Sequence, residues 1–160
     1  MNDKTATEAS SKAVDDTIES FDLSELDTIE ASDKGAELQL KHFITEKPLP
    51  VFITLLGKHS STFREITNER VNERIAREAA ASQRNKTPSN PTAEEAEERA
   101  IELLAACTTG WRTGDKPIVM LKGEELRFTV DNAKKVYREM LWVREQVDKF
   151  IGDLENFIPG

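Results

Sequence analysis

The sequence predicts an α+β fold, predominantly α, in which a small N-terminal β-hairpin precedes a bundle of three to four helices with a short second hairpin. Three observations predict it. A β-branched and aromatic run, Val51-Phe52-Ile53-Thr54-Leu55, follows the turn-forming Thr45-Glu46-Lys47-Pro48, and such residues suit a pleated, half-buried surface. Two Thr-x-x-Glu signatures, Thr62 to Glu65 and Thr92 to Glu95, open long stretches of helical composition. The hydroxyl and carboxylate together satisfy amides that a helix start leaves unpaired. Finally, apolar residues from Ala133 to Leu154 recur at helical spacing.

The charge is concentrated ahead of the hairpin. Residues 1–35 hold three Lys and ten acids, a net of -7, which leaves 19 bases and 20 acids, or -1 of the chain's -8, in residues 36–160. Up to Ser20 only Val14 and Ile18 are sizeable apolar groups, too few to offset an ordering penalty of roughly 1 to 2 kcal/mol per residue. Residues 1–34 are therefore expected to form an acidic disordered tail, in which Phe21, Leu23, Leu26 and Ile29 could dock a short turn onto the body or engage a partner. Residues 35–160 are expected to form a single domain, with the hairpin in 35–57 and mainly helix in 58–160.

Leu38, Leu40 and His42 alternate with polar neighbours on the first strand. A bare two-stranded hairpin is unstable in water, so one face must pack on helices or join strands of another subunit. After Gly57, Phe63, Ile66, Val71 and Ile75 mark a loose apolar face that fades near Ala81, and a polar loop with Pro88 and Pro91 follows. Ala96, Ala100, Leu103, Leu104 and Cys107 give the next helix its apolar face, and Gly110 is expected to end it. Ile118 to Leu121, the Lys122-Gly123 turn and Leu126 to Phe128 predict the second hairpin. Thr129 can cap the last stretch, which is either one helix of about 25 residues or two broken near Leu141.

No catalytic, cofactor or metal site is expected. The seven glycines form no phosphate-cradling pattern, and His42, His59 and Cys107 lack the close spacing of ordinary zinc ligands. Ser60 and Ser61 beside His59 are explained by helix capping, and Cys107 falls on an apolar stripe, where it acts as a small core residue. As the lone cysteine it cannot make an internal disulfide, which fits a reducing compartment. Arginines between Arg64 and Arg84, with Lys86, are interleaved with four glutamates for a net of only +2 and no aromatic stacking platform, so nucleic acid is not an expected partner. The longest near-apolar run, Leu49 to Leu56, falls far short of the roughly 20 residues of a membrane helix. No apolar stretch follows Met1 to Lys4, so no secretory signal is expected.

Protein interaction is better supplied. Trp111 lies just beyond the expected helix stop, Trp142 is offset by about 100° from Val143 on an α-helix, and Phe157 and Ile158 stand at the C-terminus. These four are the candidate partner-binding residues, since aromatic side chains anchor interfaces. Tyr137, Val143 and Phe150 add to the apolar supply of the same segment, while Ala133, Val136, Met140 and Val147 are expected core. The alternative for both tryptophans is that they close a small core.

Three stretches, Leu103-Leu104-Ala105-Ala106-Cys107-Thr108-Thr109-Gly110-Trp111-Arg112, Gly123 to Tyr137 and Trp142-Val143-Arg144-Glu145-Gln146-Val147, together with Asn156-Phe157, resemble tail assembly chaperones and related small tail proteins of long-tailed bacteriophages. The likeness also touches Leu38 to Thr62 and so covers roughly residues 35–158. Related chains often carry a proline just before the tryptophan, where this chain has Leu141. The resemblance implies a non-enzymatic protein without cofactors that works in the host cell cytoplasm. There it would keep the tape-measure protein in solution and help tail-tube subunits assemble around it, with self-association a further option. A structural minor tail protein retained in the virion, or a generic protein-binding adaptor, would share many of these features. Amphipathic helices could cover the apolar faces of a long helical tape measure, and an acidic tail would aid solubility.

Overall fold

The computed structural model describes residues 20–159. Over these residues the fold is α+β and mostly helical, as the patterning predicts. A 3₁₀ turn at Leu23–Leu26 leads into helix α1 (Thr28–Lys34), whose first amides, Ile29 and Glu30, donate to the Asp27 carboxylate. The helix stops at Gly35, whose φ of 82° is open to glycine and strained for other residues.

Strands β1 (Ala36–Lys41) and β2 (Pro48–Leu55) form the expected antiparallel hairpin, with Ala36 opposite Leu55 and Lys41 opposite Pro48. A third strand, β3 (Thr108–Thr113), completes the sheet in the order β1-β2-β3, with Ile53 opposite Trp111 and Thr54 opposite Gly110. Leu40, Ile53, Leu55 and Trp111 are buried on the inner face. On the outer face the Arg112 guanidinium lies 3.9 Å above the Phe52 ring and makes a two-pronged bond to Glu37.

Helices α2 (Ser61–Gln83), α3 (Ala93–Ala106), α4 (Val130–Glu139) and α5 (Leu141–Gly152) follow, with the tight hairpin β4 (Ile118–Leu121) and β5 (Glu124–Arg127) inserted before α4. Its two-residue turn has positive φ at both Lys122 and Gly123, which matches the twist of paired strands. Ile101, Leu104 and Ala105 of α3, Ala133, Val136 and Tyr137 of α4, and Val143, Val147 and Ile151 of α5 meet the sheet in one core. Helix α2 buries none of its residues and flanks this core, touching α3 through an Arg70–Glu102 ion pair of 3.8 Å and an Arg70 bond to the Arg99 carbonyl.

Several expectations are corrected by these contacts. Residues 20–34 are not part of a disordered tail; residues 1–19 lie outside the described residues. Ser32 of α1 is fully buried, the Gly57 amide donates to its carbonyl, and Asp33 accepts from the Ser61 amide and hydroxyl at 2.7 and 2.8 Å. Docking α1 thus satisfies the first amide of α2, and the cap of α2 is Ser60 rather than Thr62. Gly110 does not end α3. The helix closes at Ala106, and Thr108 turns its hydroxyl back to the Leu104 carbonyl at 2.8 Å while its backbone enters β3. The last stretch is two helices, parted at Met140 (φ -110°, ψ 87°).

Candidate functional site

The tip of the β1–β2 hairpin is a closed loop. His42 exchanges bonds with Lys47 and Glu46, its carbonyl accepting the Glu46 amide at 2.8 Å, and Glu46 takes the left-handed conformation at φ 60°. His42 Nδ1 accepts from the amides of Ile44 (3.2 Å) and Thr45 (3.3 Å), which requires its lone pair there and the ring proton on Nε2. With its backbone so fixed, the loop presents Phe43 (63% exposed) and Ile44 (73% exposed) outward. The His42 ring stacks on Phe43 at 5.1 Å between centroids, and Phe43 tilts against Trp142 of α5 at 6.1 Å.

A side-chain amide holds α5 against this loop. Gln146 accepts from the Lys41 amide at 3.0 Å and donates to the Lys41 carbonyl at 2.7 Å, acting as a one-residue strand partner on the edge of β1. The register shift between β1 and β2 falls just before Lys41, with the extra residues on β2 between Pro48 and Phe52. Lys41 stays opposite Pro48, and Gln146 takes the amide and carbonyl that this edge strand turns outward. Between the hairpin tip and α5 lies an open groove of about 630 Å³ with Leu38, Phe43, Trp142 and Phe150 as its apolar surface.

Of the four candidate residues, one stands in this groove. Trp142 is half-buried there, with Phe43 against it. Trp111 is only 6% exposed; its Nε1–H donates to the Leu126 carbonyl at 3.0 Å and its ring meets Phe128 edge-on at 5.4 Å, so the β4–β5 hairpin covers it. Phe157 is 7% exposed and packs edge-on against Phe150 at 5.3 Å. Both belong to the core and are withdrawn as partner contacts. Ile158 is half-buried outside the groove lining. Tyr137 and Val143 are core residues as well.

Phe43 and Ile44 were missed. Their signal is that two bulky apolar residues in succession, directly before a turn, cannot both face inward on a strand of period two.

The groups with shifted ionisation lie elsewhere. Burial pushes the Cys107 thiol up to about 11, and burial raises the Tyr137 hydroxyl despite its 2.7 Å bond to Thr108. The Arg138 guanidinium bonded to Glu98 holds that carboxyl below its ordinary range. Cys107 is therefore a protonated core thiol. His59 bonds Thr28 through Nδ1 at 2.7 Å and Ser60 caps α2, so these polar groups are occupied structurally. Among the described residues no three His, Cys, Asp or Glu side chains gather where they could hold a metal ion. No helix of the described residues is long and apolar enough to cross a membrane. No family model, curated protein or solved structure matches the chain.

Proposed function

We propose that this protein is a bacteriophage tail assembly chaperone that binds the tape-measure protein and promotes tail-tube assembly. The resemblance of residues 35–158 to that family motivates the reading, and the observation that carries it physically is the exposed Phe43 against the half-buried Trp142 at a groove with apolar and charged surface. Exposed aromatic side chains beside a groove suit the capture of apolar helical faces, which a long tape measure presents before the tube surrounds it. The contact surface is therefore Trp142 with Phe43 and Ile44, in place of Trp111 and Phe157.

Co-expression with the tape-measure protein encoded in the same genome tests this. The wild-type chain should raise the soluble fraction of that protein and co-purify with it. Replacing both Phe43 and Trp142 with Ala should abolish both effects while shifting the melting temperature by no more than about 3 °C, since partly exposed side chains contribute little to folding. A tape measure that stays equally insoluble with and without the wild-type chain would refute the function.

A further inference from the structure

We propose that the groove between the hairpin tip and α5 accepts an amphipathic helix whose apolar residues are flanked by Lys or Arg. This deepens the reading of that groove as a partner-binding surface and rests on it. Its walls carry the carboxylates of Glu46, Glu145, Asp153 and Glu155 against the ammonium groups of Lys41 and Lys149, an excess of two negative charges around an apolar floor. None of those four carboxylates forms an ion pair within the described residues. A basic segment would find them without a cation, Asp153 holding only the Glu155 amide at 3.3 Å, and an acidic segment would meet like charge.

The geometry favours a helix over an added strand. Extending the sheet past β1 here would need the Lys41 amide and carbonyl, and both are already bonded to Gln146. The Phe43 and Trp142 rings stand 6.1 Å apart, close to the roughly 5 to 6 Å that separates side chains one turn apart on a helix. Successive apolar residues on one helical face could therefore meet them in turn, while cationic residues beside that face reach the walls.

Two peptides of about 18 residues, with the same leucines at helical spacing and either Lys or Glu at every flanking position, distinguish the alternatives. Binding to the full chain is measured by titration calorimetry. At about 50 mM salt the Lys peptide should bind at least tenfold more tightly than the Glu peptide, and the ratio should shrink several-fold at about 300 mM. The double variant E145K/E155K should bring the ratio to about one or invert it, with thermal melting showing that the fold is retained. A Lys peptide of the same composition but scrambled apolar spacing controls for adsorption by charge alone.

Equal or tighter binding of the Glu peptide, equal binding of the scrambled peptide, or an unchanged ratio in the folded E145K/E155K variant would each overturn the proposal. Failure of both peptides to bind would overturn it too, and would leave the chaperone function standing if the wild-type chain still solubilised the tape measure. The expected peptide preference with no effect on tape-measure solubility would uphold the groove's specificity and remove the chaperone function.

Discussion

Gly57→Ala should loosen the join between α1 and the rest of the domain. Gly57 follows β2, and its amide donates to the Ser32 carbonyl at 3.1 Å. A Cβ placed there would lie 2.5 Å from Ser32 Oγ, 2.9 Å from Ser32 Cβ and 3.2 Å from a ring carbon of Phe157. The backbone at Gly57 is outside the left-handed region, so the conflict is steric and not conformational. Rotating the serine hydroxyl removes the shortest contact. The contact with Ser32 Cβ persists unless α1 itself moves.

Overpacking of this kind costs about 1 to 3 kcal/mol. At about 3 to 4 °C per kcal/mol for a chain of this size, the melting temperature should fall by roughly 3 to 12 °C. Hydrogen exchange should show the loss concentrated in the amides of α1. Adding Ser32→Gly, which removes both atoms in conflict, should recover more than half of the drop. Ser32→Ala alone should be neutral or stabilising by up to about 1 kcal/mol, because the buried Ser32 hydroxyl has no hydrogen-bond partner in the described residues. A Gly57→Ala protein that melts within about 1 °C of the wild type, or a Ser32→Gly addition that recovers nothing, would refute the steric account.

Phe157→Ala should destabilise by about 2 to 4 kcal/mol, somewhat below a central core position because the chain end can partly collapse into the space. Denaturant unfolding checks this, and a change below about 0.5 kcal/mol would return Phe157 to the surface. Cys107, held up to about 11 by burial, should keep only about one thiolate in a thousand at pH 8 and resist a thiol-reactive dye until the protein unfolds. Because its folded pKa is raised, its contribution is complete below the unfolded value near 9 and is lost as pH rises towards 11. Cys107→Ala should therefore flatten part of the fall in unfolding free energy between pH 9 and 11, the raised Tyr137 hydroxyl supplying a fall of the same sign. A slope unchanged by the substitution would disprove the assignment.

Local chemistry made most elements legible. Thr92 caps α3 through the Glu95 amide, and Thr129 caps α4 through the Asn132 amide, because a hydroxyl acts within three residues of its own position. The Lys122-Gly123 turn was readable for the same reason. Strand β3 was not, since Gly110 reads equally as a helix stop and as the small residue opposite Thr54, and only the unpaired edge of β2 decides between them. The run Thr108-Thr109-Gly110-Trp111 carried the β propensity that a helix-stop reading passed over. Residues 28–34 were misread because their anchor is Ser32, a small polar side chain that no hydrophobicity count records. It fits only because Gly57, 25 residues away by numbering, has no side chain.

The candidate site divides along the same line. Periodicity correctly offset Trp142 from the core stripe of α5, because that offset is a property of the helix alone. It had no means of separating Trp142 from Trp111, whose burial depends on a hairpin folding over it and on the Leu126 carbonyl receiving its indole N–H. Nor could it pair Trp142 with Phe43, about a hundred residues earlier. That pairing exists because β1 is the edge strand of its sheet and leaves the Lys41 amide and carbonyl to Gln146, and Gln146 lies one helical turn beyond Trp142. The same glutamine that pairs with the strand edge thus sets the hairpin tip beside the tryptophan. Replacing Gln146 would be expected to disturb the groove before it disturbs the core, since its bonds join the edge of the sheet to α5 while Val143 and Val147 keep the helix docked.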